Sequence, residues 1–364
     1  MIGRLTELLK QSNFDAIAIN AGPDMSAITG LDFHLSERPV VLFFSPGIIP
    51  VLVCPEFEFE KTKKSHIPLE VFSYPEETEK WVNCFKNAIN RLNLNKSSIV
   101  VSPTSFRMLE YSLCKLAAEG CHIVPDANLF GTLRLRKTFQ EVQRIRKAVE
   151  IAEQALINTI PEICVGVTEK FIATRLTMNL FLYGSDPDLP FSPIVASGEN
   201  SANPHATPSE KPIQEGDALI IDWGARYEGY ISDLTRSFFV RNSNTDLQNI
   251  AVVVEKANEA AREACQSGIT SGEIDAAART VIDDAGYGQY FIHRTGHGIG
   301  LEVHEEPYIQ KDVSTTIEPG MVFTIEPGIY IPGVGGIRIE DNIVVNDKTC
   351  DTLTTLPRKV RFID

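Results

Sequence analysis

The sequence has little of what membrane-spanning, secreted or nucleic-acid-binding proteins usually show. Nowhere in its 364 residues does an uninterrupted apolar run approach the ~18 residues of a membrane span. The most apolar stretch, residues 40–54, is broken by Ser45, Pro46, Gly47 and Pro50. The first twenty residues lack an apolar signal core and a small-residue cleavage site, and read as a short amphipathic helix followed by a buried strand. Basic charge is scarce. There are 34 Lys and Arg against 48 Asp and Glu, a formal net charge of −14, which disfavours nucleic acid and an anionic membrane as partners. No Cys-x-x-Cys pair occurs. The seven cysteines, at 54, 84, 114, 121, 164, 265 and 350, are odd in number and scattered, so reduced, mostly buried thiols in a cytoplasmic protein are expected.

What is present suffices for a sizeable core: 43% apolar and 23% charged residues, in a chain long enough for two domains. The reading is an α/β (α+β) protein with a smaller α/β domain over residues 1–132 and a larger one over 133–364. Apolar runs at 15–20, 39–44 and 48–54 suggest strands, and residues 76–92 and 105–118 have helical spacing. His34, His66 and His122 are isolated and read as ordinary histidines. Near the boundary, Thr138 and Glu141 match a capping box, with a helix expected to about Thr159 and a stop near Pro161. Prolines 187, 190, 193, 204, 208 and 212 then exclude helix. From Gly216 onward, strand-length apolar runs alternate with Gly-rich turns.

The larger domain repeats itself. Gly166-Val167-Thr168 opens a helical stretch closed by Gly184, and Gly268-Ile269-Thr270 opens another closed by Gly286. Gly216 begins an apolar run ending in Asp222, as Gly320 begins one ending in Glu326. The spacing predicts pseudo-twofold symmetry, with helices outside and two carboxylates facing each other across a central axis.

Each repeat carries a second acid beyond a turn, Asp233 in the first and Glu340 in the second, and all four acids sit in or beside apolar β-type sequence. Gathering four carboxylates in such surroundings requires counter-charge, from Arg226, Arg236 and Arg338 nearby or from divalent cations. A further ligand candidate lies in His293-Arg294-Thr295-Gly296-His297-Gly298-Ile299-Gly300. The i, i+4 spacing of His293 and His297 suits a helical metal pair, but three glycines argue against helix. Leu301 occupies the last glycine position of a dinucleotide fingerprint counted from Gly296, which excludes that reading. His297, flanked by glycines on a strand, is the chosen ligand. One imidazole with four carboxylates is a hard donor set that suits Mn²⁺, Fe²⁺ or Co²⁺ at least as well as Zn²⁺.

The order Asp222, Asp233, His297, Glu326, Glu340, set in PHATPSEK, HRTGHGIGLEVHEEP, EPGMVFTIEPGIYIPG and GGIRIED, resembles the metallopeptidase family of prolidases, aminopeptidase P and methionine aminopeptidase. The resemblance runs from about Phe139 to the C-terminus, and the smaller domain is similar to that of prolidases and creatinase. It implies a pita-bread catalytic domain with an internal pseudo-twofold repeat. It also implies two divalent metal ions, Mn²⁺ foremost with Co²⁺, Fe²⁺ or Zn²⁺ as alternatives, held by those five residues, with Asp233 and Glu340 as bridges.

By the same resemblance a metal-bridging hydroxide attacks the scissile carbonyl, Glu326 shuttles the proton, and His205 and His304 contact the peptide and its oxyanion. His293 is implied to line the substrate pocket. The implied substrates are short proline-containing peptides, cleaved at Xaa-Pro by a dipeptidase or, alternatively, an aminopeptidase. A dipeptidase must hold a free carboxylate, to which Arg338 can contribute charge. Some prolidase-like dipeptidases carry a basic residue where this chain has Tyr308, a departure that keeps the aminopeptidase in play. More distant alternatives are a non-catalytic relative and an enzyme of the same fold acting on a non-peptide substrate, as creatinase does. Residues 30–39 resemble a loop that reaches a neighbouring subunit's active site, so a homodimer is expected.

Overall fold

The computed structural model describes residues 2–118 and 120–363, and the chain divides between Arg134 and Leu135 into two units. In the first unit, the strands Ala16–Asn20, Val41–Phe44 and Val51–Pro55 are buried at every residue. Successive strand side chains point to opposite faces. Ala16, Ala18, Val41, Phe43, Val51 and Val53 accordingly join one hydrophobic cluster, and Ile17, Ile19, Leu42, Phe44, Leu52 and Cys54 join another. Helices cover both faces. Trp81–Arg91 and Met108–Ala117 pack Phe85, Ile89 and Leu113 into the first cluster. Ile2–Lys10, Pro23–Thr29 and Ala127–Arg134 pack Leu5, Met25 and Leu133 into the second. Two-sided burial is why these strands read as continuous apolar runs. The six-stranded mixed sheet is completed by Glu70–Tyr74 beyond Val51–Pro55, and by Ser98–Val101 and His122–Pro125 beyond Ala16–Asn20.

In the second unit the repeat is physical. The helices Glu169–Leu182 and Ser271–Asp284, each of 14 residues, are capped by the hydroxyls of Thr168 and Thr270. The flanking glycines 166 and 268, like 184 and 286, have positive φ, a conformation that costs glycine nothing. Each helix is preceded by a longer one, Phe139–Thr159 and Thr245–Ala264. The first of these starts at a capping box in which Thr138 N–H donates to Glu141 Oε2 at 2.6 Å.

The helices cover two half-sheets. The first has the strand order Arg361–Ile363, Leu234–Val240, Ala218–Trp223, Ile194–Ser197. The second has Glu305–Ile309, Gly296–Gly298, Val322–Ile325, Asp341–Val345, Cys350–Thr352. Leu219, Ile221 and Leu234 pack with Ile145, Val149 and Ile172, and Phe323, Ile325 and Ile343 pack with Ile250, Val254 and Ile274.

Pairing registers fix the symmetry axis. Phe239 faces Ala218 as Val344 faces Val322, so the outgoing strands correspond at an offset of 104 and the returning ones at 105. Those offsets make Asp222 the counterpart of Glu326, Thr235 of Glu340, and Arg236 of Asp341. The half-sheets meet where Thr235 bridges Glu340, whose N–H donates to the Thr235 carbonyl at 3.1 Å. One residue on, Arg236 Nη2 donates to Asp341 Oδ1 at 2.9 Å, an ion pair between equivalent positions. Asn258 and Arg358 also donate to Asp341, at 3.1 and 2.7 Å.

The cysteines depart from expectation. Cys265 and Cys350, 85 residues apart, form a disulfide with their Cα atoms 5.8 Å apart. Folding, not local spacing, brings them together, so no Cys-x-x-Cys pattern announces them. The other five are free, and all but Cys164 are buried. No helix among the described residues is long and apolar enough to cross a membrane.

Asp341 has no solvent exposure, and its loss strands Arg236 in the core. Asp341→Ala should cost about 3–5 kcal/mol in urea unfolding of the metal-free protein, because a buried charge is left without its partner.

Candidate metal centre

The four acids and His297 reach one cavity of about 360 Å³ from the ends of strands on both sides of the axis. Asp222 is the penultimate residue of Ala218–Trp223, and Glu326 follows Val322–Ile325 directly. Asp233 precedes Leu234–Val240, and Glu340 stands between Gly335–Arg338 and Asp341–Val345. Strand ends suit this task because the last side chains escape the ladder while the backbone behind them stays fixed.

His297 lies on the short strand Gly296–Gly298, as its flanking glycines suggest. A Cβ at Gly296 would meet the Thr324 carbonyl oxygen at 1.9 Å, and one at Gly298 would meet the Glu306 carbonyl oxygen at 2.2 Å. Only glycine permits this approach, which seats His297 against the carboxylates.

Asp233, His297 and Glu340, all buried, offer ligand atoms within 4.8 Å of one another. His297 Nε2 is 3.3 Å from Glu326 Oε1 and 3.7 Å from Asp233 Oδ2. A supporting shell holds them. Thr235 Oγ1 donates to Glu340 Oε2 at 2.7 Å. Thr324 Oγ1 accepts from the His297 N–H at 3.1 Å and donates to Glu326 Oε1 at 3.3 Å. Asn342 engages both backbone groups of Asp233.

Electrostatics follow from burial and crowding. Burial first, and then the charges of Glu340, Asp222 and Glu326, raise Asp233 well above the usual carboxylate range. Glu340 is raised likewise by burial and by Glu326 and Asp222. Burial raises Asp222, and raises Glu326 to about 7, in both cases against the pull of Arg338. His297 falls to about 3 through burial and the neighbouring His304, so its ring is neutral near pH 7.

Protons can neutralise such a cluster, and so can divalent cations. The donor chemistry fits cations: four carboxylates, one neutral imidazole with Nε2 turned to two of them, and no thiolate. One oxygen of Asp222 is also buried and accepts no hydrogen bond, while the other takes Arg338 Nη2 at 2.6 Å.

The remaining sequence candidates divide. His205, His293, His304 and Arg338 line the same cavity, and the rings of His304 and His297 are 4.4 Å apart, edge to face. Arg338 is committed inward. It donates to Asp222, to Thr235 Oγ1 at 3.0 Å, to the Tyr330 hydroxyl at 2.8 Å and to the Pro204 carbonyl at 3.4 Å. It therefore serves as counter-charge within the cluster. Tyr308 is not among the cavity's lining residues; its ring lies under the Arg294 guanidinium, 4.4 Å from the centroid.

Sequence reasoning overlooked Arg294, which lines the cavity, and Tyr330, which connects Arg338 to His293. The His293 Nε2 atom lies 3.0 Å from the Tyr330 hydroxyl, and Nδ1 lies 2.7 Å from the Arg294 carbonyl. Nδ1–H donates to that carbonyl and Nε2 accepts from Tyr330, a single neutral tautomer, consistent with burial lowering His293 to about 4. Arg294 sits in the quoted HRTGHG run, where composition marks it only as another charge. Phe191, Ile194 and Val303 form the apolar lining and carried no chemical signal.

The chain is similar to known peptidases. Metallopeptidase family M24 matches residues 143–347. An Xaa-Pro dipeptidase of Pyrococcus horikoshii is 35% identical over 99% of this chain and 98% of its own. The solved dipeptidase of Pyrococcus horikoshii OT3 has a TM-score of 0.92 at 36% identity, covering 100% of this chain and 99% of that one. A prolidase of Thermococcus sibiricus has a TM-score of 0.93 at 31% identity, covering 100% and 98%. The second unit has the pita-bread fold, with its pseudo-twofold repeat.

A carboxyl with a raised folded pKa stabilises the fold below its unfolded value and loses that contribution as pH rises through the folded one. For Glu326 that window runs from 4.5 to about 7, and Asp233 and Glu340 act in the same direction. The lowered histidines 293 and 297 act oppositely, but only below their ordinary value of 6.5. The Tm of chelator-treated protein should therefore fall as pH rises from about 6.5 through the Glu326 value of about 7, and added Mn²⁺ should reduce the fall. A flat profile without metal would contradict the clustering of unneutralised acids.

Proposed function

Because the chain belongs to metallopeptidase family M24, we propose that it hydrolyses Xaa-Pro bonds in short peptides, foremost dipeptides. The observation that carries this reading is the convergence of four carboxylates and a neutral imidazole on one peptide-sized cavity. We assign Asp222, Asp233, His297, Glu326 and Glu340 as holders of two divalent ions, with Asp233 and Glu340 shared between them. Mn²⁺ is the ion favoured by an oxygen-rich set without thiolate, with Co²⁺, Fe²⁺ and Zn²⁺ as alternatives. When bound, such ions supply activation of water near neutral pH and polarisation of a carbonyl.

The chain's own groups supply the rest. Glu326 takes a proton at its carboxylate as water attacks and releases it to the leaving prolyl nitrogen. His205 and His304, lining the cavity beside His297, donate N–H to the oxygen that gains charge. His293, locked in one tautomer, presents a fixed face to the peptide. Phe191, Ile194 and Val303 give the prolyl ring and its neighbour an apolar wall and exclude water. Arg294, which also lines the cavity, suits a substrate that ends in a carboxylate, as a dipeptide does. With Arg338 turned inward, the charge assigned to it from the sequence passes to Arg294.

A cytoplasmic homodimer completes the proposal. Five free cysteines support the compartment, against the single disulfide, and the likeness of residues 30–39 to a subunit-spanning loop supports the dimer.

The test is to strip the protein with chelator and restore Mn²⁺, Co²⁺ or Zn²⁺ separately. Cleavage of Ala-Pro, Ala-Pro-Ala and Ala-Ala is then compared. Metal-dependent cleavage confined to Ala-Pro is expected. Preference for Ala-Pro-Ala would move the assignment to an Xaa-Pro aminopeptidase, and no cleavage by folded, metal-loaded protein would sink it. Asp233→Ala should leave no tightly bound metal, and retention of two ions would refute its assignment as a shared ligand.

A further inference from the structure

The two halves build their cavity walls from corresponding places but hold them differently. Phe191 and Ser192 lie just before the strand Ile194–Ser197, and His293 and Arg294 just before Gly296–Gly298; all four line the cavity. Behind the second wall, the helix Ser271–Asp284 carries Asp275 and Arg279 one turn apart on one face. Asp275 has no solvent exposure. Arg279 donates to both its oxygens, Nε to Oδ2 and Nη2 to Oδ1, each at 2.9 Å. The same guanidinium donates to the carbonyl of Phe291 at 3.2 Å and to that of His293 at 3.0 Å, and it lies 4.2 Å from the Phe291 ring centroid. Thr295 Oγ1 donates to Asp275 Oδ1 at 2.7 Å, and the Thr295 carbonyl accepts the Glu326 N–H at 2.7 Å.

The repeat supplies an internal control. At the offset of 102 that relates Thr168 to Thr270, the first helix carries Ala173 and Thr177 in place of Asp275 and Arg279. Behind Phe191 and Ser192 a groove stays open, and Ala173 and Thr177 line it. The fold therefore stands without such a pair in one half. Burying an Arg–Asp pair adds little net stability over apolar packing, so its presence in the other half calls for a geometric reason.

We propose that Asp275 and Arg279 are positioning residues that clamp the main chain of residues 291–295, so that His293 and Arg294 face the substrate. The proposal rests on the reading of this cavity as a peptidase site. The planar guanidinium reaches a carboxylate and two carbonyls at once, which a lysine ammonium cannot do.

Arg279→Lys keeps the charge and removes the fork. Thr295→Val removes only the hydroxyl link, with Thr295→Ser as its conservative control, and this pair carries the test should Arg279→Lys fold poorly. With Mn²⁺-loaded protein, KM for Ala-Pro should rise about tenfold in Arg279→Lys and Thr295→Val, while kcat changes much less. Thr295→Ser should match the parent, and metal content should be unchanged in all three. Hydrogen–deuterium exchange should quicken in residues 291–295 and not at 191 and 192. Unchanged KM, with or without a lower Tm, overturns the proposal, as does unchanged exchange or a Thr295→Ser variant that behaves like Thr295→Val. A parent protein unable to cleave either Ala-Pro or Ala-Pro-Ala would instead sink the peptidase reading, and exchange alone would then decide the clamp.

Discussion

Mutual repulsion among four half-buried or buried carboxylates is the constraint on which the second unit is organised. Burial and like charge both push their protons on, as the raised values of Asp233, Glu340, Asp222 and Glu326 record. Left alone, the side chains would turn away from one another. Thr235, Thr324, Asn342 and Arg338 prevent this, each tied to a ligand candidate and to the strands behind it. The repulsion is thus stored at a fixed place, where binding a cation relieves it.

Duplication explains how such a cluster arises, and its imperfection explains why it is useful. Asp222 and Glu326 are true counterparts across the axis. On the returning strands the offset of 105 pairs Asp233 with Arg338 and Thr235 with Glu340, so those positions carry unlike residues. A strictly symmetric site would treat both ends of a peptide bond alike. Here Phe191 and Ser192 precede the first-half strand where His293 and Arg294 precede its second-half counterpart, so the lining residues differ between the halves.

Much of this was legible in the sequence. Positive-φ glycines, threonine caps and apolar runs have local causes, so the repeat could be read from Gly166 to Glu326 without coordinates. The five ligand candidates were legible because carboxylates in apolar strand sequence are costly to bury, whereas the three cavity histidines were legible only through the family resemblance. Arg338 was visible, but its direction was not, since a guanidinium in a β-hairpin can turn to substrate or to Asp222. Tyr308 was weighed by position alone, and its ring lies beneath Arg294. Asp275 and Arg279 gave no signal, because an acid and a base four apart on a helix usually mark a solvated surface. The Cys265–Cys350 link was illegible for the same reason as most tertiary contacts: its ends lie 85 positions apart in the chain.

That link has a topological consequence. The covalent loop it closes contains His297, Glu326 and Glu340, whereas Asp222 and Asp233 lie outside it. An unfolded but unreduced chain keeps the second-half ligand candidates tethered within a restricted volume, while the first-half pair roams with the rest of the polymer. A single cut between residues 265 and 350 would likewise leave the protein in one covalent piece.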